Sequence, residues 1–282
     1  MPNHSQVGVI GSAVIAPRNL QQSSLEETLH TLTLAALKSA NLSIEDIDGI
    51  VVAGCDQLDG RAISIMAASG SVGGVGRDIL STPSSSEHAL VLGALRVKSG
   101  MYRTQLVVSW SPLEVDSVNE TQRLSNDPYY HRSLPQDDLS SYALQANLLE
   151  NEVPQLREAV IELTKQLRLK GQKAYPNLST SPIQDAVIKD SKMLRYPITQ
   201  GMVCPPCFGA VAMILADENW IKEHNISNPA WIQGMGWATE TTYLGDRDLS
   251  TIGALKAAAN QAYKEAGVIN PREAFDLIEV SD

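Results

Sequence analysis

Ala36–Val52 reads ALKSANLSIEDIDGIVV, and Ala262–Val280 reads AYKEAGVINPREAFDLIEV. Each passage is the end of an alanine-rich helix pattern, then an acidic turn, then a short apolar strand pattern. They differ by two extra residues in the second turn. The agreement extends upstream, where the glycine-bearing strand VGVIGS (Val7–Ser12) matches IQGMGW (Ile232–Trp237). Residues 231–280 therefore replay residues 7–52, which marks a duplicated α/β module. Asp48 and Asp276 occupy the same place ahead of the strand, and an aspartate repeated there predicts a turn-capping role.

Working outward, Val7–Ile10 reads as a buried strand. Ser24 and Glu27 form a capping box ahead of a helix whose apolar stripe includes Leu25, Leu29, Leu32, Ala36 and Leu37. Gly49–Ala53 (GIVVA), Ile79–Thr82 and Gln105–Trp110 (QLVVSW) read as strands, and Ser84–Val97 as a helix between the last two. Strands alternating with helices at this spacing predict βαβ units, with a parallel sheet covered on both faces. Between about Pro112 and Pro197 the pattern turns polar, with a long amphipathic helix around Val153–Leu169 and no strand pattern. The sheet resumes at Gly209–Ala216 (GAVAMILA). The domain boundaries that follow are 1–111 with 200–228 as the α/β core, 112–199 as a helical insertion, and 229–282 as the opening of the duplicated half.

FDLIEV (Phe275–Val280) is expected to be a sheet strand with no later helix to cover it. A bare strand of that kind invites pairing with another chain, so a partner polypeptide is expected there.

The chain has 282 residues, 43% hydrophobic and 19% charged, with a formal net charge of −10. No Lys/Arg run is present, which argues against a nucleic-acid partner. No apolar run approaches the roughly 20 residues of a membrane helix, and the first residues lack the basic flank of a signal peptide. Three cysteines are too few for a disulfide scaffold at this length, which points to a reducing compartment, the cytoplasm.

The strand–helix–acidic turn–strand opening resembles the start of a thiolase. So does the passage Tyr142–Pro197, with its long helix, KAYPN loop and SKMLRYPIT segment. MVCPPCFGAVAMILADE (Met202–Glu218) is similar to the family segment Cys-Pro-x-x-Asp-Gly-Ala-Ala-Ala followed by a strand. The resemblance covers nearly the whole chain, in family order. It is closest to sterol-carrier-protein-type thiolases and thiolase-like aldolases. It implies a layered α/β fold with a complete N-terminal half, a helical loop domain, and a truncated C-terminal half.

In that family the nucleophilic cysteine sits where the third strand turns into the third helix. Here the turn reads Ser81-Thr82-Pro83-Ser84-Ser85-Ser86-Glu87-His88-Ala89-Leu90, and the register from Ala89-Leu90 puts Pro83 at that position. Proline offers no nucleophile. Phe208 replaces the family aspartate, while Cys204, Pro205 and Gly209 stay in register.

Ser84 and His88 lie four apart at a helix start, so a hydroxyl activated by imidazole is one candidate catalytic pair. Helix capping by the serines is the simpler reading, since no third group orients the histidine. Cys204-Pro-Pro-Cys207 has knuckle spacing. It lacks the second pair that zinc needs, and it precedes a strand where a thioredoxin-type motif opens a helix, so structural or incidental cysteines are expected. Gly70–Gly76 lacks the ending of a phosphate loop and reads as a flexible loop leading into a strand. Tyr129, Tyr130 and His131 could line a pocket or pack within the insertion.

The resemblance implies a subunit of a hetero-oligomer acting on acyl-CoA carbon–carbon bonds, by acyl transfer or by retro-aldol or retro-Claisen cleavage. A coenzyme A thioester is the expected substrate, no permanently bound cofactor or metal is expected, and homo- or heterodimerisation through the N-terminal core is implied. The alternative is a non-catalytic scaffold stabilising an active thiolase-fold partner.

Overall fold

The computed structural model describes residues 6–18, 23–83, 86–111, 117–134, 136–176, 178, 184–204 and 207–280. The chain opens with β1 (Val7–Arg18), α1 (Leu25–Ser39), a short 3-10 turn at Ile44–Asp46, β2 (Gly49–Ala53), α2 (Asp56–Asp59) and α3 (Ser64–Ser71). Then come β3 (Asp78–Thr82), α4 (Ser86–Lys98) and β4 (Thr104–Ser111). The inserted segment holds α5 (Val118–Ser125), α6 (Asp138–Glu152), α7 (Leu156–Ala174), α8 (Asp185–Lys189), and a ribbon of β5 (Met193–Arg195) and β6 (Ile198–Thr199). The chain closes with β7 (Phe208–Asp217), α9 (Glu218–Glu223), β8 (Ala230–Ile232), α10 (Gly253–Ala266) and α11 (Pro271–Ala274).

One six-stranded sheet, ordered β3-β2-β4-β7-β1-β8, forms the middle layer. Successive strand residues point to opposite faces, and the packing follows that alternation. Ile50, Val52, Leu106, Val108 and Trp110 turn to one face, where Leu25, Leu29, Leu32 and Ala36 of α1 and Ala68 of α3 complete a core. Val51, Ala53, Val107 and Leu215 turn to the other, against Ala89, Ala94 and Val97 of α4. Gly93 lets α4 approach closely, since a Cβ there would stand 2.6 Å from Val107. Ser24 caps α1 as the sequence predicts, its hydroxyl accepting from the Glu27 N–H while the Glu27 carboxylate accepts from the Ser24 N–H.

The sheet is mixed, not parallel. β2 pairs in parallel with β3 and β4, as βαβ crossovers require, but β7 runs antiparallel to both β4 and β1. The reason lies in the insertion, which leaves the sheet at Ser111 and returns at the same edge, with Ser111 opposite Gly209. A chain that re-enters where it left must run backwards. The inserted segment holds helices α5 to α8, and it also carries the β5–β6 ribbon that its polar sequence hid.

The second repeat departs further from its template. Its helix forms as α10, and its first strand shortens to the three residues of β8 on the margin of β1. FDLIEV forms no strand: Leu277, Ile278 and Val280 are exposed, at 78%, 60% and 74%. A strand needs a neighbour for its hydrogen-bond ladder, and among the described residues none pairs with 275–280.

The two repeated aspartates diverge likewise. The Asp48 carboxylate accepts from the backbone N–H groups of Arg103 at 2.6 Å and Thr104 at 3.1 Å, pinning the entry of β2 to that of β4. Asp276 is exposed.

Candidate functional site

Because β2, β3 and β4 run parallel, their carboxyl ends at Ala53, Thr82 and Ser111 reach the same edge of the sheet. Loops at the carboxyl ends of such strands are where open α/β sheets place ligand sites. A cleft opens at this edge, lined in part by Gly54, Asp56, Ser64, Ser81, Pro83 and Trp110. It encloses about 60 Å³, enough for a few water molecules and far below the roughly 300–1,000 Å³ of a pocket that buries a whole cofactor.

The local sequence explains the cleft. The strand GIVVA ends in Gly54, and a Cβ there would lie 2.3 Å from the Trp110 indole, so only glycine lets β2 exit beneath that ring. Asp56 then opens α2, and one of its carboxylate oxygens accepts from the Ser64 N–H at 2.7 Å, folding α2 and α3 into a tight corner. Gly60 ends α2 in the left-handed conformation, with φ of 64°.

Under the corner lies Asp59, fully buried. Trp110 donates its indole N–H to the two carboxylate oxygens at 3.2 and 3.1 Å. Burial pushes the Asp59 carboxyl above the ordinary range, and the Asp56 charge adds to it. The Ser64 hydroxyl, the Trp110 N–H and the Arg61 guanidinium pull the other way. A carboxyl with a raised pKa beside a cleft is a recurrent mark of functional sites, and equally of structural networks. Here Asp59 supports Trp110, which forms a wall of the cleft.

Pro83, at the position expected for a nucleophile, does line this cleft. Ser84 lies outside the described residues. His88 stands exposed in the first turn of α4 and is absent from the cleft lining described here. His131 of the insertion stacks on Tyr243 with centroids 4.6 Å apart, joining the inserted segment to the loop after β8. Tyr129 and Tyr130 are exposed. Gly70–Gly76 is no single flexible loop: α3 runs through Gly70, and Gly73 and Gly76 turn the chain with positive φ.

The Asp56–Asp59–Trp110 corner went unread in the sequence. Its signal was there, in a glycine and two aspartates directly after a strand and a tryptophan ending a neighbouring one. Among the described residues no cluster of His, Cys, Asp or Glu could hold a metal ion. No helix among them is long and apolar enough to cross a membrane.

No protein-family model and no curated protein sequence matches the chain. Among solved structures it is similar to an "Ltp2-ChsH2(DUF35) aldolase", with a TM-score of 0.74 and 15% identity, over 94% of this chain and 70% of that one. At that identity the likeness shows a shared fold.

Proposed function

We propose that the chain is a thiolase-like subunit of a hetero-oligomer that cleaves or forms carbon–carbon bonds in acyl-CoA thioesters, and that retro-aldol chemistry suits it better than acyl transfer. The observation behind this choice is Pro83 at the carboxyl-edge cleft, where acyl transfer would need a nucleophile. Retro-aldol cleavage needs none. A base takes the proton of a β-hydroxyl, the Cα–Cβ bond breaks to leave a carbonyl compound, and the thioester enolate is stabilised and then protonated.

The fold likeness to an aldolase whose name joins two components supports the reading. Two open surfaces support a multi-chain assembly. Among the described residues β3 is the outer strand of the sheet, paired on one side by β2, with Leu80 exposed, and Ile63 and Met66 at the start of α3 are exposed too. At the other end, residues 275–280 expose apolar side chains that a second polypeptide could cover. On this proposal residues 1–111 with 200–228 form the core, 112–199 the loop domain, and 229–282 the second copy of the repeated module.

The scaffold reading keeps one specific argument, the same Pro83. Chemistry separates the two. The complex isolated with its bound partner, given a β-hydroxyacyl-CoA, is expected to release a carbonyl compound and a shortened acyl-CoA detectable by mass spectrometry. Unchanged thioester over a series of chain lengths, from a complex shown to bind it, would leave the scaffold.

A further inference from the structure

Helix α7 has an inner and an outer face. Ile161, Lys165 and Arg168 recur at spacings of four and three, so they share one side of the helix. That side anchors it: Ile161 is buried, Lys165 Nζ pairs with Asp185 of α8 at 3.0 Å, and Arg168 Nη2 donates to the Val203 carbonyl at 3.2 Å. Val160, Leu163 and Leu167 recur at spacings of three and four, and all three are exposed. The same line takes in Leu156, half-buried, and Ala174, exposed at the last residue of α7. It runs about 135° round the helix from Ile161, away from the anchored side. Apolar residues alternating at three and four make the seam of a helix pair. With 19 residues, α7 offers such a seam along about 28 Å.

Charge decides what covers it. The first half of α7 carries Glu158 and Glu162 with Arg157, the second Lys165, Arg168, Lys170 and Lys173. A second α7 laid parallel would set Lys170 and Lys173 beside their own copies. Laid antiparallel, Leu163 meets Leu167 of the second copy, Val160 meets the stem of its Lys170, and Leu156 meets its Ala174. A two-fold axis repeats each contact in reverse. In that register the Lys170 ammonium of one copy comes level with Glu162 of the other. The Glu162 carboxylate accepts from Gln166 at 3.1 Å and faces Lys165 at 3.6 Å, and its 53% exposure leaves room for a further cation. The opposed helix dipoles favour the same arrangement.

We infer that the outer face of α7 is a homodimerisation surface, pairing antiparallel with the α7 of a second copy of this chain. One helix pair is small by the standard of stable complexes, so the dimer forms and dissociates with concentration. It uses neither β3 nor residues 275–280, and so does not depend on the assembly proposed above.

The test is sedimentation equilibrium of the full chain at low salt over a concentration series, where the mass is expected to rise from that of one chain to that of two. Leu163→Glu and Leu167→Glu should each raise the dissociation constant about tenfold or more, since each puts a carboxylate into the apolar seam. Glu162→Lys and Lys170→Glu should each raise it about threefold, and the double variant, which exchanges the two charges, should return it to within about twofold of the native value. Leu80→Glu on β3 and Leu277→Glu on the tail should leave it unchanged. All these side chains are exposed, and far-ultraviolet circular dichroism confirms that each variant folds. A single-chain mass at every concentration would leave the seam to a different protein and overturn the inference. A dimer broken by Leu80→Glu or Leu277→Glu and not by the α7 leucine variants, or a charge exchange that dimerises more weakly than either single change, would overturn it equally.

Discussion

Replacing Asp48 with alanine tests whether one copy of the repeated aspartate carries a structural load that the other does not. Asp48 Oδ2 accepts from two backbone N–H groups, those of Arg103 and Thr104, and Thr104 is fully buried. A buried donor left without its acceptor costs about 1–3 kcal/mol, and a bond to a charged group contributes about 1.5–3 kcal/mol net of exchange with water. Asp48 is exposed, as Asp276 is, so water can replace part of what is lost, chiefly at Arg103; what sets Asp48 apart is its two backbone hydrogen bonds. The expected net loss is about 2 kcal/mol, a large fraction of the 5–15 kcal/mol that keeps a domain folded. Asp48→Asn retains an oxygen acceptor and should lose about half as much. Asp276→Ala, on an exposed residue, should change stability by under about 0.5 kcal/mol. Urea unfolding followed by circular dichroism measures all three. A loss under about 0.5 kcal/mol for Asp48→Ala, or an equal loss for Asp276→Ala, would refute the reasoning.

Asp59 gives a pH test. Its folded-state pKa is raised above the ordinary 3.8, so its contribution is fully present below that value and is lost as pH rises through the raised pKa. Asp59→Asn should flatten that loss, making the variant gain on the native protein as pH rises, in urea midpoints taken from pH 3 upward. Phe208→Ala empties a buried site and should cost about 3–5 kcal/mol, whereas Leu277→Ala on the exposed tail should be near neutral in the isolated chain; chemical denaturation compares them. Ser24→Ala removes half of a capping box and should cost about 1 kcal/mol by the same measurement.

Much of the fold was legible because local chemistry and tertiary packing agree there. The capping box at Ser24, the apolar stripe of α1, and the β-branched runs of β2 and β4 specify their elements by themselves. Failures came where a partner in space decides the outcome. FDLIEV has strand composition yet finds no neighbour among the described residues, and the direction of β7 depends on where a long insertion returns. Those facts are topological, and no window of sequence holds them. The site divides the same way. Pro83 stands on one strand–helix turn that the sequence singles out, and it lines the cleft. The pairing of Asp59 with Trp110 joins residues 51 apart in sequence, across a corner made by two short helices without a strong periodic pattern.

The most direct measurement is calorimetric titration of acetyl-CoA and a longer acyl-CoA into the chain, alone and in the proposed complex, reconstituted with whichever polypeptide co-purifies with it. Saturable binding that appears or tightens at least tenfold in the complex is the expected result. Heats no larger than dilution in both states would contradict a role in thioester chemistry.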